Sequence, residues 1–300
     1  MRIVLSIGGN ALLKRGEAMS EATQQRNIAE AVRSMGFLLN EHEVLITHGN
    51  GPQVGLLALQ AENYKDVPAY SLDVLGAESQ AMVGYMLLEA LQQAYPDKHF
   101  VNVVTRSLVS NDDPAFTNPT KFIGAVYSKE RALELAKWHH WCVKPDGQYW
   151  RRVVPSPEPI EVLETGAIES LMHAGLTVIA AGGGGVPMVR DEKGALHGVE
   201  AVIDKDLAAS LLAQALGADL FLIVTDVDAV YTHFGETDAC AIDQTTPDEL
   251  SECFFPAGSM GPKVKAACRF VKRTGHRAAI GSLSEIEGLL LGKRGTQITP

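Results

Sequence analysis

Short apolar runs, each ending in small or polar residues, recur along the chain. Six of them have the length of a strand, and they are Arg2–Ile7, Glu43–His48, Phe100–Thr105, Leu176–Gly182, Leu220–Asp226 and Arg277–Ser282. Most of their apolar residues are consecutive rather than alternating, which is typical of strands buried on both faces. This pattern predicts a sheet with a layer of structure on either side.

Segments with helical spacing lie between several of these runs. The segment Glu21–His42 carries one apolar stripe, formed by Ile28, Val32, Met35 and Leu39. The other segments of this character are Leu72–Ala94, Leu207–Leu216 and Val264–Thr274. Because strands alternate with helices, we predict an α/β fold with a mostly parallel sheet covered by helices.

Two stretches interrupt the alternation of strands and helices. The first lies within Lys121–Pro159, where the Pro-Asp-Gly sequence at 145–147 is a strong turn signal between two strand-like arms. It predicts a hairpin subdomain, at 121–159, inserted into a single domain that spans 1–300. The second stretch, Val186–Val202, predicts another hairpin around 191–194.

Composition and charge narrow the class of protein. A chain of 300 residues, of which 46% are apolar, can bury a substantial core. Its net charge of −10, from 26 basic and 36 acidic residues, argues against a nucleic-acid surface, which is usually basic. It does not exclude a small phosphorylated ligand, because a few local lysines can outweigh the net field.

The cysteines carry no signature of a metal or disulfide site. Cys142, Cys240, Cys253 and Cys268 form no C-x-x-C pair and have no histidine at metal-ligand spacing. We therefore predict reduced thiols and no metal bound by the protein alone. The first apolar run, Ile3–Ile7, is too short for a signal peptide or a membrane span. These features predict a cytoplasmic protein with neither membrane nor nucleic acid as a partner.

Glycine-rich turns follow three of the predicted strands, at Gly8–Asn10, His48–Gly51 and Gly182–Gly185. Ligands of open α/β sheets bind beyond the carboxyl ends of the strands, so we expect these turns to converge on one crevice. There, backbone N–H groups can approach an anion closely. The alternative is that the glycines only permit sharp turns. Neither G-x-x-x-x-G-K-[ST] nor G-x-G-x-x-G is present, which disfavours Walker-type hydrolysis and hydride transfer.

Three lysines lie at predicted element boundaries, namely Lys121, Lys205 and Lys263. Lys205 and Lys263 are close to helix starts, where a cation is unfavourable unless an anion is also present. This placement indicates a polyanion, although most lysines are ordinary surface residues. The carboxylates near these positions are Asp204, Asp206 and Asp226. They either cap elements or, in the case of Asp226, hold Mg²⁺ or a ribose hydroxyl. Donors, cations and alignment are what phosphoryl transfer needs.

A set of short segments occurs in a characteristic order: GGNAL, THGNGPQVG, DPAF, PTK, WRRVVPSPEP, GGGG, EAVIDKDLAA, TDVDAVY and GSMGPKV. The set resembles that of the carbamate kinases, which belong to the amino-acid kinase family, from Ile3 to the C-terminal GTQIT. The resemblance implies an open three-layer αβα sandwich with a mainly parallel central sheet of about eight strands and a small protruding hairpin subdomain. It also implies a homodimer that transfers a phosphoryl group reversibly between MgATP and carbamate, giving ADP and carbamoyl phosphate, with many such enzymes running toward ATP synthesis in catabolism.

The resemblance also implies roles for individual residues. Residues near the transferred phosphoryl group and its charge are Gly8, Gly9, Asn10, Lys121, Lys205, Asp206 and Lys263. Residues on the carbamate side are Gly49, Asn50 and Gly51, with Gly8 adjoining them. Residues expected near the nucleotide are Gly183, Gly184, Asp204, Asp226, Tyr231, Met260 and Gly261. The acceptor site then lies mainly in the N-terminal half and the nucleotide site in about residues 200–300.

One segment departs from the family pattern. Where PTKPIGPFY is usual, this chain has PTKFIGAVY, so two prolines are replaced by Phe122 and Ala125. The change gives the segment that carries Lys121 more conformational freedom. Two alternatives to a carbamate kinase therefore stay open: a kinase for another small carboxylate or phosphonate, and a nucleotide-binding regulatory protein without turnover.

Overall fold

The structure is a computed structural model that describes residues 1–13, 17–64, 66–256 and 258–300, with the backbone alone for Asn10 and Ala11. Its strands are β1 (Arg2–Ile7), β2 (Glu43–His48), β3 (Phe100–Asn102), β4 (Arg106–Val109), β5 (Lys121–Tyr127), β6 (Cys142–Asp146), β7 (Tyr149–Val154), β8 (Pro159–Val162), β9 (Thr177–Ile179), β10 (Val186–Arg190), β11 (Leu196–Gly198), β12 (Leu220–Thr225), β13 (Val230–Thr232), β14 (Cys240–Ile242), β15 (Gln244–Thr245), β16 (Arg277–Ser282) and β17 (Thr296–Ile298).

The α-helices are α1 (Gly9–Leu12), α2 (Glu21–Ser34), α3 (Gly36–Glu41), α4 (Gly51–Asn63), α5 (Leu72–Ala94), α6 (Lys129–His139), α7 (Thr165–His173), α8 (Lys205–Ala215), α9 (Pro247–Ser251), α10 (Met260–Thr274) and α11 (Ile286–Leu290). Short 3₁₀ helices cover Pro114–Phe116, Gly182–Gly184 and Leu283–Glu285. In the described part of the chain, no helix combines the length and the apolar character that crossing a membrane requires.

The central sheet has eight strands among the described residues, in the order β15-β17-β16-β12-β1-β2-β9-β3. Strand β1 lies in the middle and pairs in parallel with β12 and β2. Strand β17 is antiparallel to β16, whereas the other neighbours in this sheet are parallel. The carboxyl ends of β1, β2 and β12 therefore meet at one edge of the sheet, and the prediction of a mainly parallel sheet is confirmed.

Side chains from the central strands alternate between two hydrophobic clusters, one on each face of the sheet. Val4 of β1 and Phe221 of β12 belong to the cluster that α7, α8 and α10 cover. Ile3 and Leu5 of β1 belong to the other, which α2, α3, α5 and α11 cover. Both faces are buried because the strand residues are apolar at consecutive positions. The result is the three-layer α/β/α arrangement.

Four of the six predicted strands match the structure within one residue, and two are shorter. The predicted strand Leu176–Gly182 ends early because Ala181 adopts a left-handed conformation with φ of 50°, and a 3₁₀ turn follows. The predicted helix Glu21–His42 divides into α2 and α3. At the division, Gly36 approaches the hydroxyl of Tyr95, and a Cβ on Gly36 would lie 2.9 Å from it.

The two predicted hairpins are confirmed, and the structure adds neighbours to each. Strands β6 and β7 pair antiparallel around the turn at Gly147, and β5 joins them to form a three-stranded sheet, with helix α6 between β5 and β6 in the chain. Strands β10 and β11 form the second hairpin, which belongs to a four-stranded sheet with β4 and β8. Helix α4 was not predicted from the sequence; Pro52 lies in its first turn, where proline favours a helix start.

Candidate active site

A cavity of about 880 Å³ opens at the carboxyl ends of β1, β2 and β12. It lies where the topology of an open α/β sheet places ligands. Fourteen of the residues singled out in the sequence line it: Gly8, Gly9, Gly49, Asn50, Gly51, Lys121, Gly183, Asp204, Lys205, Asp206, Asp226, Tyr231, Met260 and Lys263. Residues from distant parts of the chain are therefore gathered around one space.

The glycine turns touch one another at the base of this cavity. A Cβ on Gly49 would lie 2.9 Å from the amide nitrogen of Gly9 and 3.7 Å from Cδ of Lys205. Gly49 has an ordinary φ, so close approach, rather than a special backbone conformation, requires glycine here. Gly183 has a φ of 62°, and a Cβ on it would lie 2.1 Å from the amide of Asn50. The third glycine turn thus adjoins the second, so Gly183, which was expected near the nucleotide, lies against a residue expected on the carbamate side.

Asp206 is the centre of a buried polar cluster and is 2% exposed. Its Oδ1 accepts hydrogen bonds from Lys205 Nζ at 2.5 Å and from Ser6 Oγ at 2.8 Å. Its Oδ2 accepts from Lys263 Nζ at 3.1 Å. Strand β1 and helices α8 and α10 each contribute to this cluster, so the carboxylate fixes two ammonium groups from different elements in one place.

The charges in this cluster determine the protonation of Asp206. Burial by itself raises the pKa of Asp206, but the charges of Lys205 and Lys263 outweigh burial and hold it well below its ordinary value. Burial lowers the pKa of Lys205, and the charge of Asp206 offsets that effect only in part. For Lys263, the carboxylate outweighs burial and the pKa is raised. The carboxylate therefore stays ionised between its two lysines.

Lys121 reaches the cavity from β5, outside the central sheet. Its Nζ donates to Oδ2 of Asp204 at 2.9 Å. The other carboxylate oxygen of Asp204 accepts from the backbone N–H groups of Asp206 and Leu207, which caps α8. With 37% of its side chain exposed, Lys121 is the most accessible of the three lysines.

These ion pairs bear on the prediction that the lysines face a polyanion. Lys205 lies in the first turn of α8 together with Asp206, and Asp204 caps the same helix. The two carboxylates already offset the unfavourable position of a cation there. Placement at a helix start therefore does not by itself require a bound polyanion, and the case for one depends on the cavity and the convergence of the lysines.

The other end of the cavity is more apolar and includes aromatic residues. Tyr231 is followed by Phe234, whose ring makes an edge contact with it at 5.8 Å between centroids. Phe254, in the loop before α10, lines the same region and is 91% exposed. Asp226 follows directly on β12, and its Oδ1 accepts from Thr225 Oγ1 at 3.1 Å. The two phenylalanines were missed in the sequence because exposed aromatic residues in loops carry no periodic signal.

Three of the predicted site residues are not placed in the cavity wall. Gly184 lies behind it, and its carbonyl oxygen accepts from Ser107 Oγ at 2.6 Å. Gly261 lies in the first turn of α10, where its N–H donates to the carbonyl oxygen of Pro256 at 3.0 Å. The side chain of Asn10 lies outside the described residues. Roles for these three stay predictions.

Two buried polar residues lie beside the cavity, and one of them, Ser6, was not recognised in the sequence. Ser6 stands within the apolar run of β1 and binds both Lys205 and Asp206; a serine in a strand buried on both faces is the signal that could have identified it. His48 is fully buried, and its Nδ1 lies 3.1 Å from the carbonyl oxygen of Gly49. Burial lowers the pKa of His48 to about 4, so the imidazole is neutral at pH 7.

The chain is similar to known proteins over its whole length. It is 50% identical to a carbamate kinase of Haemophilus influenzae over 300 residues, which cover 100% of this chain and 97% of that protein. It is also 50% identical to a carbamate kinase of Escherichia coli strain K12, over 99% of both chains.

A solved carbamate kinase structure is also similar to this chain over its whole length. The carbamate kinase from Giardia lamblia bound to AMP-PNP superposes with a TM-score of 0.92 at 38% identity, covering 99% of this chain and 98% of that one. The amino acid kinase family matches residues 1–282. The chain therefore belongs to the amino acid kinase family and, within it, to the carbamate kinases.

Proposed function

We propose that this protein transfers a phosphoryl group reversibly between MgATP and carbamate, giving ADP and carbamoyl phosphate. The observation that carries the proposal is the buried cluster in which Asp206 holds Lys205 and Lys263 beside the touching turns of Gly9 and Gly49. Relatives with half of their residues identical to this chain are carbamate kinases. A kinase acting on a different small acceptor needs the same cluster, so a separate panel of acceptors tests that alternative.

The residues supply what phosphoryl transfer requires, namely positioning and compensation of charge. In the forward direction a carbamate oxygen forms a bond to the γ-phosphorus of ATP while the bond to the β,γ-bridging oxygen breaks, and ADP leaves with that electron pair. No proton has to be transferred. Lys205 and Lys263 are held by Asp206 with their ammonium groups at the cavity, where they balance the charge on the phosphoryl oxygens.

The two substrates are assigned to opposite ends of the cavity. We place the acceptor against Gly49–Gly51, where the N-terminus of the 13-residue helix α4 favours an anion. The nucleotide is placed toward Asp226, Tyr231 and Met260, with its phosphates directed at Lys263. Lys121 comes from a third direction, and its 2.9 Å contact with Asp204 keeps it next to the transfer position.

The cavity suits a magnesium nucleotide. Mg²⁺ is usually bound through one or two carboxylates together with substrate phosphates, and Asp226 is a carboxylate of the lining that can take that part. Bound there with the nucleotide, the ion would neutralise part of the charge of the phosphates. Asp204 and Asp206 are engaged by lysines and serve to hold those side chains.

The experiment is the synthesis of ATP from MgADP and carbamoyl phosphate by purified protein. Lys205→Ala is compared with Lys193→Ala, which changes an exposed lysine in the β10–β11 turn. We expect turnover in the wild type and in the Lys193 variant, and a loss of at least about a hundred-fold in the Lys205 variant. ATP synthesis by wild type no faster than by the Lys205 variant would contradict the proposal. ADP binding without transfer would identify a regulatory protein.

A second candidate acceptor is suggested by one observation. Phe122, which replaces a proline of the family pattern, lines the cavity beside Lys121. A larger side chain there can change which acceptor fits. A panel of small carboxylates and phosphonates, assayed with MgATP, tests this candidate, and an acceptor with a higher kcat/KM than carbamate would favour it.

We also propose a cytoplasmic homodimer, as the resemblance to carbamate kinases implies. Support comes from exposed apolar side chains on α5, where Val74 is 40% and Tyr85 is 59% exposed. Sedimentation equilibrium gives the mass in solution, and a monomer at micromolar concentration would contradict the homodimer. Fractionation of cells tests the location.

A further inference from the structure

The position of Lys121 depends on how a small separate sheet is attached to the rest of the molecule, which is not so for Lys205 and Lys263. Lys205 and Lys263 lie in the first turns of helices that pack on the central sheet, whereas Lys121 is the first residue of β5, in the separate sheet β5-β7-β6. The position of its ammonium group at the cavity is therefore set by how that small sheet is attached to the rest of the molecule. The attachment is made along helix α4.

The first point of attachment is a contact between two glycines. A Cβ on Gly55 of α4 would lie 2.9 Å from the amide nitrogen of Gly124 and 3.0 Å from its Cα. Both of those atoms belong to the backbone, so they cannot move aside as a flexible side chain can. The turn Gly49–Gly51, against which the acceptor is placed, is called the acceptor loop. Gly55 lies one turn of α4 after Gly51, and Gly124 lies three residues after Lys121.

The backbone around Gly124 is shaped for this contact. Gly124 has a φ of 71°, and the pairing of β5 with β7 shifts register between Ile123 and Val126, so the strand bulges there. Arg151 on β7 donates from Nε to the carbonyl oxygen of Gly124 at 2.9 Å. The bulge is thus held from the side of β7 while it rests on α4.

The second point of attachment lies two turns further along the same face of α4. Glu62, seven residues after Gly55, faces Arg152 of β7 at 3.9 Å, and Glu200 faces the same guanidinium at 3.6 Å. The guanidinium also lies over the ring of Trp141, 4.7 Å from its centroid. Arg152 pairs directly with Ile123 of β5. This side chain therefore fastens the small sheet to α4 close to the bulge.

We propose that Gly55 and Arg152 are positioning residues that set the place of Lys121 relative to the acceptor loop. Neither residue lines the cavity, so each acts only through the elements it joins. The inference rests on the proposed function, because it assigns Lys121 to the transferred phosphoryl group. Both attachments, the contact of Gly55 with Gly124 and the pair of Arg152 with Glu62, are made to α4, whose first residue, Gly51, belongs to the acceptor loop. The acceptor and Lys121 are therefore held by one rigid element.

The first test substitutes Gly55 by alanine. The added methyl group forces α4 and β5 apart, and a misplacement of about 1 Å in such a site is enough to lower the rate roughly a hundred-fold. We expect kcat to fall about ten- to a hundred-fold, with the Kd for ADP changed less than about two-fold. The matched control is Gly166→Ala in α7, where a Cβ meets nothing within 4 Å, and kcat should be unchanged.

A double-mutant cycle separates positioning from a general loss of structure. If Gly55 acts through Lys121, then Gly55→Ala should lower kcat by less than about two-fold when Lys121 is already alanine. An equal fractional loss in both backgrounds would overturn the inference, as would normal kcat in Gly55→Ala itself. If the alanine variant does not fold, Arg152→Lys takes its place in the cycle, with the exposed Arg131→Lys of α6 as control.

A readout without turnover keeps this test distinct from that of the proposed function. The rate at which an amine-acylating reagent modifies Lys121 is followed by mass spectrometry, with Lys193 as internal reference. We expect faster modification of Lys121 in Gly55→Ala and Arg152→Lys, because its contact with Asp204 is loosened. Unchanged modification in both variants would overturn the inference even if the wild type transfers phosphate. Absence of transfer by the wild type, with faster modification in the variants, would reject only the proposed function.

Discussion

Lys263 donates a 3.1 Å hydrogen bond to the carboxylate of Asp206, although 57 positions separate the two residues in the chain. The contact joins the first turn of α10 to the first turn of α8. Because Lys205 binds the other oxygen of the same carboxylate, the start of each helix is held at the cavity by one buried anion. Stability and catalysis therefore depend on the same side chain.

Replacing Asp206 by asparagine should lower both the free energy of unfolding and the rate of phosphoryl transfer. The substitution leaves two buried ammonium groups without their anion, and breaking a buried ion pair costs about 3–5 kcal/mol in the free energy of unfolding. Urea unfolding and ATP synthesis from carbamoyl phosphate measure the two effects. Asp248→Asn is the control, because Asp248 and Lys272 form an exposed pair whose loss should change the free energy of unfolding far less. Equal losses of stability in the two variants would contradict this account of Asp206.

Lys263→Met should affect turnover far more than stability. Asp206 keeps Lys205 and Ser6 as partners, so the free energy of unfolding should change by no more than about 1–2 kcal/mol. Loss of a donor to the transferred group should lower kcat about a hundred-fold or more. Lys265→Met, two residues along α10 and 53% exposed, should have normal kcat. A large fall in melting temperature with normal kcat would instead make Lys263 part of the scaffold.

Gly183→Ala should impair use of the acceptor. The new methyl group would overlap the amide of Asn50, which is itself held by Ser79 at 2.8 Å. We expect kcat/KM for carbamoyl phosphate to fall about ten- to a hundred-fold while ADP affinity is kept. Gly217→Ala separates this effect from backbone strain, because Gly217 has a similar φ of 60° with open space around a Cβ. Equal kinetics in the two variants would show that the contact with Asn50 has no role.

Stability should fall in mild acid because of His48. Burial lowers its pKa from 6.5 to about 4, so between these values the unfolded chain binds a proton that the folded protein does not. The contribution is complete above pH 6.5, decreases as the pH falls toward 4, and amounts in full to about 3 kcal/mol. Urea unfolding at pH 7 and pH 5 should show a smaller pH dependence for His48→Gln than for wild type. Identical dependence would contradict a neutral buried imidazole.

The sequence was most informative where the order of apolar and polar residues in one short segment is enough to fix an element or a turn. The strand Arg277–Ser282 was predicted to the residue because a continuous apolar run ends at a polar residue on both sides. The convergence of the glycine-rich turns at Gly8–Asn10 and His48–Gly51 followed from the rule that ligands of open α/β sheets bind beyond the carboxyl ends of the strands. In both cases, residues near one another in the chain, together with one general rule of topology, were sufficient.

What the sequence did not reveal depends on contacts between distant residues. The apolar stripe of Glu21–His42 continues across Met35, and the contact at the division, where the Tyr95 hydroxyl donates to the carbonyl oxygen of Val32 at 3.1 Å, comes from a residue more than 60 positions away. The role of Ser6 depends on a carboxylate 200 positions away. Helix α4 was overlooked because Gly-Asn-Gly-Pro is also a strong turn signal, and the proline proved to begin a helix.

The carboxylate of Asp204 divides its two oxygens between a fixed task and an exchangeable one. One oxygen holds the backbone at the start of α8, and the other holds the half-exposed Lys121. A phosphate group that binds Lys121 competes with only one oxygen of Asp204. Lys121 can therefore exchange Asp204 for the ligand while the other oxygen still caps α8. The negative charges of Asp204 and Asp206 also offset two of the three positive charges of Lys121, Lys205 and Lys263, which lessens the electrostatic repulsion among these neighbouring lysines.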